Sequence, residues 1–213
     1  MLLFMCSSNF HTYSQTVFSV ESISKAEFEN AKTDFSQHNA AIITPKEYNG
    51  IINKVLQNAQ KDFNLLPPSR QTEILEEIGE DFGFNLEQMR FIPDWNVYGF
   101  LLPTNFDATV WWYDGMNGER IGDTESTPVS ANKNRIYVSQ IKFDCDWRLD
   151  LHFCRMDGEY LYEFASFSDS RFNGEYLLMF DDKGIFWGAD NTLYILSYDY
   201  EKIGECYLKV QLK

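Results

Sequence analysis

The sequence predicts an α+β fold in which N-terminal helices pack on a C-terminal antiparallel β-meander. Up to about residue 94 the apolar residues recur at intervals of three and four, which is the period of an amphipathic helix. From Trp95 onward they alternate in short runs, and turn sequences such as Asn173-Gly174 separate these runs. We therefore expect a single domain over residues 1–213, with a helical part at about 21–92 and a β-rich part at about 95–213.

The clearest predicted helix begins at Thr44. Thr44 can cap it, Pro45 suits the first helical position, and Glu47 completes a capping box. One apolar stripe then follows over four turns, made of Tyr48, Ile51, Ile52, Val55, Leu56, Ala59 and Phe63. Further helices are expected over residues 22–35 and from Ser69 to about residue 79, with a last turn or two over 85–90.

Short alternating runs predict the strands. They cover residues 97–102, 109–113, 135–143, 147–154, 160–166, 176–180, 185–187, 193–198 and 206–212. The segment between Gly115 and Asn134 is polar, so we expect a long loop there, of the kind that is functional or mobile.

The composition is acidic but not that of a disordered chain. The net charge is −14, whereas 44% of the residues are hydrophobic and 16% are aromatic, which is enough to form a core. A negative surface repels phosphate backbones, so the composition argues against nucleic-acid binding. The same surface would attract a basic protein partner, although acidity also simply keeps proteins soluble.

Cysteines and histidines predict neither a metal site nor a cofactor. The four cysteines and three histidines lack zinc-site spacing, and a reducing, cytoplasmic location is expected. The apolar run at residues 1–6 is too short for a membrane span. As an alternative, this run resembles the end of a bacterial lipoprotein signal, with a lipid anchor on Cys6 if the true start lies upstream, although Met5 replaces the usual small residue.

A polar ladder over residues 144–152 is the first candidate site. Alternation on a strand places Asp144, Asp146, Arg148, Asp150 and His152 on one face. This face could be solvated, could form a charged docking surface, or could hold an acid/base or metal site built from Asp146, Asp150 and His152.

The second candidate site follows a pair of tryptophans. Trp111 and Trp112 must point to opposite faces of their strand, and the polar segment from Asp114 to Glu119 comes next. An exposed ring beside such a loop is typical of a binding hot spot or, in a sugar-binding protein, of a stacking platform. The alternative is a core on both sides of the strand.

These patterns indicate three functions. The first is an acidic intracellular binding protein, most concretely an immunity-type inhibitor that occludes the active site of a basic toxin. Its contacts would be Trp111, Trp112, Asp114, Glu119, Asp144, Asp146, Asp150 and His152. The second is a hydrolase with a carboxylate/histidine site, and the third is an exported lipoprotein or carbohydrate-binding module. The sequence contains no nucleotide-binding or nucleophile motif.

Overall fold

A computed structural model describes residues 18–34, 36–78, 83–103, 108–125, 127–142, 148–157, 160–173, 184–199 and 204–212. Within these ranges the helices are α1 (Lys25–Asp34), α2 (Gly50–Asn64) and α3 (Pro68–Ile78). The strands are β1 (Phe18–Ile23), β2 (Asn39–Ala40), β3 (Met89–Ile92), β4 (Val97–Pro103), β5 (Ala108–Asp114), β6 (Arg120–Glu125), β7 (Pro128–Asn132), β8 (Ile136–Lys142), β9 (Arg148–Asp157), β10 (Tyr160–Asn173), β11 (Ile185–Trp187), β12 (Thr192–Asp199) and β13 (Gly204–Leu212). The α+β class with antiparallel sheets is therefore confirmed.

The strands form two sheets where the sequence predicts one meander. The smaller sheet has the order β1-β13-β12-β11, so the first described strand pairs with the last. The larger sheet has the order β2-β7-β8-β9-β10-β6-β5-β4-β3. In it β10 and β6 pair in the parallel direction at Leu161 and Gly122, whereas the other pairs of described strands are antiparallel.

The larger sheet rolls up, and residues 39–43 bridge its two edges. Ala40 pairs with Ala131 of β7 at one edge, and Ile43 exchanges two backbone hydrogen bonds with Phe91 of β3 at the other, at 2.9 and 2.7 Å. Trp112 of β5 and Tyr137 of β8 meet inside, with ring centroids 5.4 Å apart. Three strands separate β8 from β5 in the order of the sheet, so this contact requires strong curvature.

The described residues form four apolar cores, of which three involve the rolled sheet and the fourth lies between α1 and the smaller sheet. The interior core lies within the roll and includes Trp112, Tyr137 and Cys154. Outside the roll, α2 and α3 pack on β3, β4 and β5; we call this the helix cover, and it buries Phe100 and Trp111. The smaller sheet packs outside β8 and β9, and we call it the sheet cover. It buries a set that includes Val138, Phe153, Trp187, Leu193 and Leu208.

Helix α2 begins five residues later than the sequence predicts. Asn49 is its N-cap, and the Asn49 Oδ1 atom accepts a hydrogen bond from the backbone N–H of Ile52 at 2.9 Å. The predicted cap at Thr44 is wrong because the neighbouring Ile43 is held in an extended bridge to Phe91. The inward stripe Ile52, Val55, Leu56, Ala59 and Phe63 is buried as predicted, whereas Tyr48 precedes the helix and is exposed.

The other helices agree more closely with the prediction. Helix α1 begins at Lys25, where the Ser24 Oγ atom accepts a hydrogen bond from the Glu27 N–H at 3.1 Å; the three residues before Lys25 that were predicted as helix belong to β1 or to this cap. Helix α3 begins at Pro68. The turn expected over 85–90 is a 3₁₀ turn at Leu86–Gln88 that leads into β3.

The predicted loop between Gly115 and Asn134 is wrong. This segment contains β6 and β7, which pair with β5 and β8. The predicted strands at 97–102, 109–113, 185–187, 193–198 and 206–212 are confirmed to within one or two residues. The strand predicted at 176–180 lies outside the described residues.

Within the described ranges, no helix combines the length and the apolar character that crossing a membrane requires.

Candidate functional site

The turn between β5 and β6 holds two of the predicted site residues, Asp114 and Glu119. The Asp114 Oδ1 atom accepts hydrogen bonds from the backbone N–H groups of Met116 and Asn117, at 2.5 and 3.3 Å. This is an Asx turn, in which a short carboxylate replaces a backbone acceptor. Asn117 and Glu119 are also linked twice, through the Glu119 N–H at 2.8 Å and the Asn117 amide at 3.1 Å. The turn is therefore internally ordered.

Two neighbouring elements hold this turn in place. The Asn58 side chain of α2 donates a hydrogen bond to the Gly118 carbonyl at 2.5 Å, and the Gly115 N–H donates to the Asn96 carbonyl in the turn between β3 and β4, at 2.8 Å. Gly118 has φ of +69°, a left-handed conformation that favours glycine. A Cβ atom there would also lie 3.2 Å from the Lys54 side chain.

The two turns together present a surface that we call the acidic turn face, made of Asp94, Asp114, Met116 and Glu119. Asp94 and Glu119 are exposed, and Met116 is 83% exposed. The exposed Met116 side chain therefore offers a partner an apolar contact on a surface that the carboxylates make negative. Lys54 of α2 packs next to Gly118 and places a positive charge beside this turn.

A partly buried charge cluster lies behind the acidic turn face. Tyr113 donates a hydrogen bond from its hydroxyl to Asp62 of α2 at 2.9 Å. The Arg120 guanidinium lies 3.9 Å from Asp62 and 3.4 Å from Asp123, and its Cζ is 4.6 Å from the centre of the Trp111 ring. Burial, and then the charge of Asp62, raise the pKa of Tyr113 above its ordinary value, so this phenol stays protonated at neutral pH. The cluster therefore fixes α2 to the sheet.

Both tryptophans are buried, so the expectation of an exposed ring is wrong. Trp111 is 3% exposed and lies under the helix cover; Trp112 is 0% exposed and lies in the interior core, where its Nε1 donates to the Thr124 hydroxyl at 2.9 Å. The alternative of a core on both sides of the strand is what the structure contains. Neither ring offers a free face to a sugar or to a partner. The apolar stripe of α2, which must be buried against another apolar surface, was a signal for the burial of Trp111.

The polar ladder is only partly described. Asp144 and Asp146 lie outside the described residues, and only the backbone of Asp150 and His152 is described. In the register of β9, Asp150 is opposite Ile141 and Ser168, and His152 is opposite Ser139 and Ser166. The hydrolase hypothesis therefore stays a prediction.

Cys154 and Met156 continue the alternation of that same face of β9. Both are buried in the interior core, so this face is covered at that end of the strand and is not solvated there. Among the described residues, no three His, Cys, Asp or Glu side chains come close enough to hold a metal ion.

Comparison with known proteins gives no match: no family model fits the chain, and no curated protein or solved structure is similar to it.

Proposed function

We propose that this chain is an acidic intracellular binding protein, most concretely an immunity-type inhibitor that neutralises a basic toxin by occluding its active site. The observation that carries the proposal is the acidic turn face. Met116, which is 83% exposed, lies in the same turn as Asp114 and Glu119. Methionine is enriched at protein interfaces, and carboxylates around it suit a cationic partner.

The charge of the whole chain supports this proposal. A net charge of −14 creates a long-range field that accelerates encounter with a basic protein. At close range Arg120 is paired with Asp62 and Asp123, so its positive charge is offset near the face. Exposed Asp94 and Glu119 then provide the local charge that orients the partner.

The fixed geometry of the turn also supports it. Hydrogen bonds from Asn58 and to Asn96 hold the turn from two sides. A turn that is already ordered loses little conformational entropy when it binds, and this preorganisation raises affinity. By contrast, the buried Trp111 and Trp112 support the face from beneath and are not contacts in this proposal.

The test is co-purification from the native cell at low and high salt, followed by a rescue assay. We expect a stoichiometric basic protein whose toxicity, when it is expressed alone, is suppressed by this chain. Reversing two charges of the face, in the double variant Asp94→Lys/Glu119→Lys, should slow association by about tenfold or more and abolish rescue.

The matched control is Asp34→Lys/Glu29→Lys. Both residues are exposed on α1, which packs on the sheet cover through Phe28, and the change in net charge is the same. Rescue should persist with this control. If both double variants lose rescue to the same extent, the loss comes from the overall charge and not from the acidic turn face. A chain that elutes alone at every salt concentration would contradict the proposal.

A further inference from the structure

An open groove of about 760 Å³ is lined by residues 39–44, which include the segment 39–43 that bridges the edges of the rolled sheet. Residues 128–131 of β7 form another wall, and Ile185 and Phe186 of β11 line it where the sheet cover approaches. This volume falls within the range of small-molecule sites, which are mostly apolar and carry a few placed polar groups. The groove is separate from the acidic turn face, so a ligand bound in it is independent of the proposed function.

Apolar side chains are exposed along this groove. Ile43 is 44% exposed and Val129 is 40% exposed, although both are large and hydrophobic. Ile42 and Phe186 add further apolar surface to the lining. An apolar group of a ligand that lies between Ile43 and Val129 would remove this surface from water, which is favourable by about 25 cal/mol per Å².

Arg90 supplies a cation with unused donors. Three hydrogen bonds leave its Nη1 atom, to the Thr44 hydroxyl at 3.3 Å and to the carbonyls of Glu87 and Met89 at 3.1 and 2.8 Å. All three acceptors are neutral, and these bonds do not use Nη2 or Nε. Among the described residues, no carboxylate forms an ion pair with Arg90. Burial lowers the pKa of Arg90, which reflects the cost of removing its charge from water.

Arg90 is the charge on which the groove's affinity for an anion depends. It lines the groove, and none of the described residues lining it is a carboxylate. Guanidinium groups with two adjacent free N–H donors match the two oxygens of a carboxylate.

We propose that this groove binds an organic anion, namely a carboxylate carried on an apolar body. The carboxylate accepts hydrogen bonds from Nη2 and Nε of Arg90, and the apolar body lies along Ile43 and Val129.

The experiment uses octanoate as the probe and follows backbone amide signals of the full chain by NMR. Octanol keeps the apolar body without the charge, and acetate keeps the carboxylate without the body. We expect saturable binding of one octanoate, with shifts concentrated at residues 39–44 and 128–131, and an affinity at least about tenfold higher than for octanol or acetate, since each half of the ligand contributes.

Two substitutions of one exposed residue locate the site. Val129→Glu places a negative charge in the groove and should weaken octanoate binding by about tenfold or more. Val129→Gln introduces a side chain of similar size without the charge, so this variant should retain most of the affinity for octanoate. Arg90→Gln should weaken binding as Val129→Glu does, and an unchanged amide spectrum outside the groove checks that each variant is folded.

Three outcomes would overturn the proposal. These are no saturable binding of octanoate, equal affinity for octanol, or binding that Val129→Glu leaves unchanged. None of them bears on the basic partner, because the rescue assay depends on Asp94 and Glu119, which do not line the groove.

Discussion

The two halves of the rolled sheet are covered in different ways. The sheet cover meets β8 and β9 through apolar side chains, and its hydrogen bonds lie at its margin: the Asn39 side chain exchanges two with the backbone of Trp187, and the Asn191 Oδ1 atom accepts one each from Asn132 and Asn134. The helix cover meets β3, β4 and β5 through an apolar stripe and is also joined by polar contacts, from Asp62 to Tyr113 and Arg120 and from Asn58 to Gly118.

This difference shows how the two covers are held. The sheet cover meets the middle of β8 and β9 by burial, which is not directional, and hydrogen bonds fix it only along its margin, at Asn39 and Asn191 among the described residues. The helix cover uses directional contacts, and these fix the position of the turn that carries the acidic face. The two halves join at the parallel contact between β10 and β6. Four experiments test this comparison.

The largest expected effect is in the sheet cover. Leu208 is fully buried there, and Leu208→Ala should reduce the free energy of unfolding by about 2–5 kcal/mol, because it leaves a cavity among packed side chains. Leu65 is largely exposed, so Leu65→Ala is the control and should change it by less than about 0.5 kcal/mol. Urea denaturation measures both, and a Leu208→Ala cost as small as that of the control would mean that the sheet cover is not a core.

The junction of the two halves should respond next. A Cβ atom on Gly122 would lie 2.5 Å from the carbonyl oxygen of Leu161, so Gly122→Ala forces the backbones of β6 and β10 apart. We expect a loss of about 1–3 kcal/mol in the free energy of unfolding. Gly204 has no atom within 4 Å of the same position, so Gly204→Ala should change stability by no more than about 1 kcal/mol. Similar denaturation midpoints for the two variants would contradict the tight contact.

Alkaline pH should act on the buried tyrosines. Burial is the main cause that raises the pKa of Tyr113 and of Tyr137 in the folded state. The unfolded chain releases these protons near pH 10, so above about pH 10 the unfolded state binds fewer protons and stability falls as pH rises. For each such tyrosine the free energy of unfolding falls by up to about 1.4 kcal/mol per pH unit. The fall continues until the tyrosine also ionises in the folded state.

Substitution identifies the groups responsible for this loss. Tyr113→Phe and Tyr137→Phe should each flatten the fall in the free energy of unfolding from about pH 9.5 to about pH 11.5, measured by urea denaturation at each pH. Leu65→Ala at an exposed position provides the control, since it removes no ionisable group and should leave the slope as it is in the wild type. A slope that neither buried substitution changes would assign the alkaline loss to other groups.

The smallest effect distinguishes the observed start of α2 from the one that the sequence predicts. Asn49→Ala removes the side-chain acceptor of the Ile52 N–H and should cost about 1 kcal/mol in the free energy of unfolding. Thr44→Ala should cost less than about 0.5 kcal/mol, because Thr44 is exposed and caps no helix. If Thr44→Ala reduced the free energy of unfolding more than Asn49→Ala does, Thr44 would be the cap, as the sequence predicts.

Local patterns predicted the elements whose partners are close in sequence. The alternation in β4 and β5 and the stripe of α2 were sufficient, because each has one apolar period and a nearby neighbour. Strands β6 and β7 were missed because polar residues and a glycine, such as Gly122, Asp123 and Thr124, break the alternation of apolar residues. Pairing with β5 and β8, which sequence periodicity does not record, makes them strands.

The site was predictable to a similar extent. Asp114 and Glu119 lie on a surface turn, as the Asp-Gly and Asn-Gly sequences indicate. The exposure of Trp111 and Trp112 was not predictable from β5 alone, since it depends on what covers each face. The sequence does not indicate the groove, because its walls come from residues far apart in the chain. The fold brings Arg90, Val129 and Phe186 together.

Residues 39–43 also protect the sheet. By hydrogen bonding to β7 on one side and to β3 on the other, they occupy strand edges that could otherwise add strands from neighbouring molecules. A single proteolytic cut between Ala40 and Ile43 would expose both edges at once, in a protein rich in aromatic strands. We therefore expect edge-to-edge association of this chain to increase when that short stretch of backbone is cut.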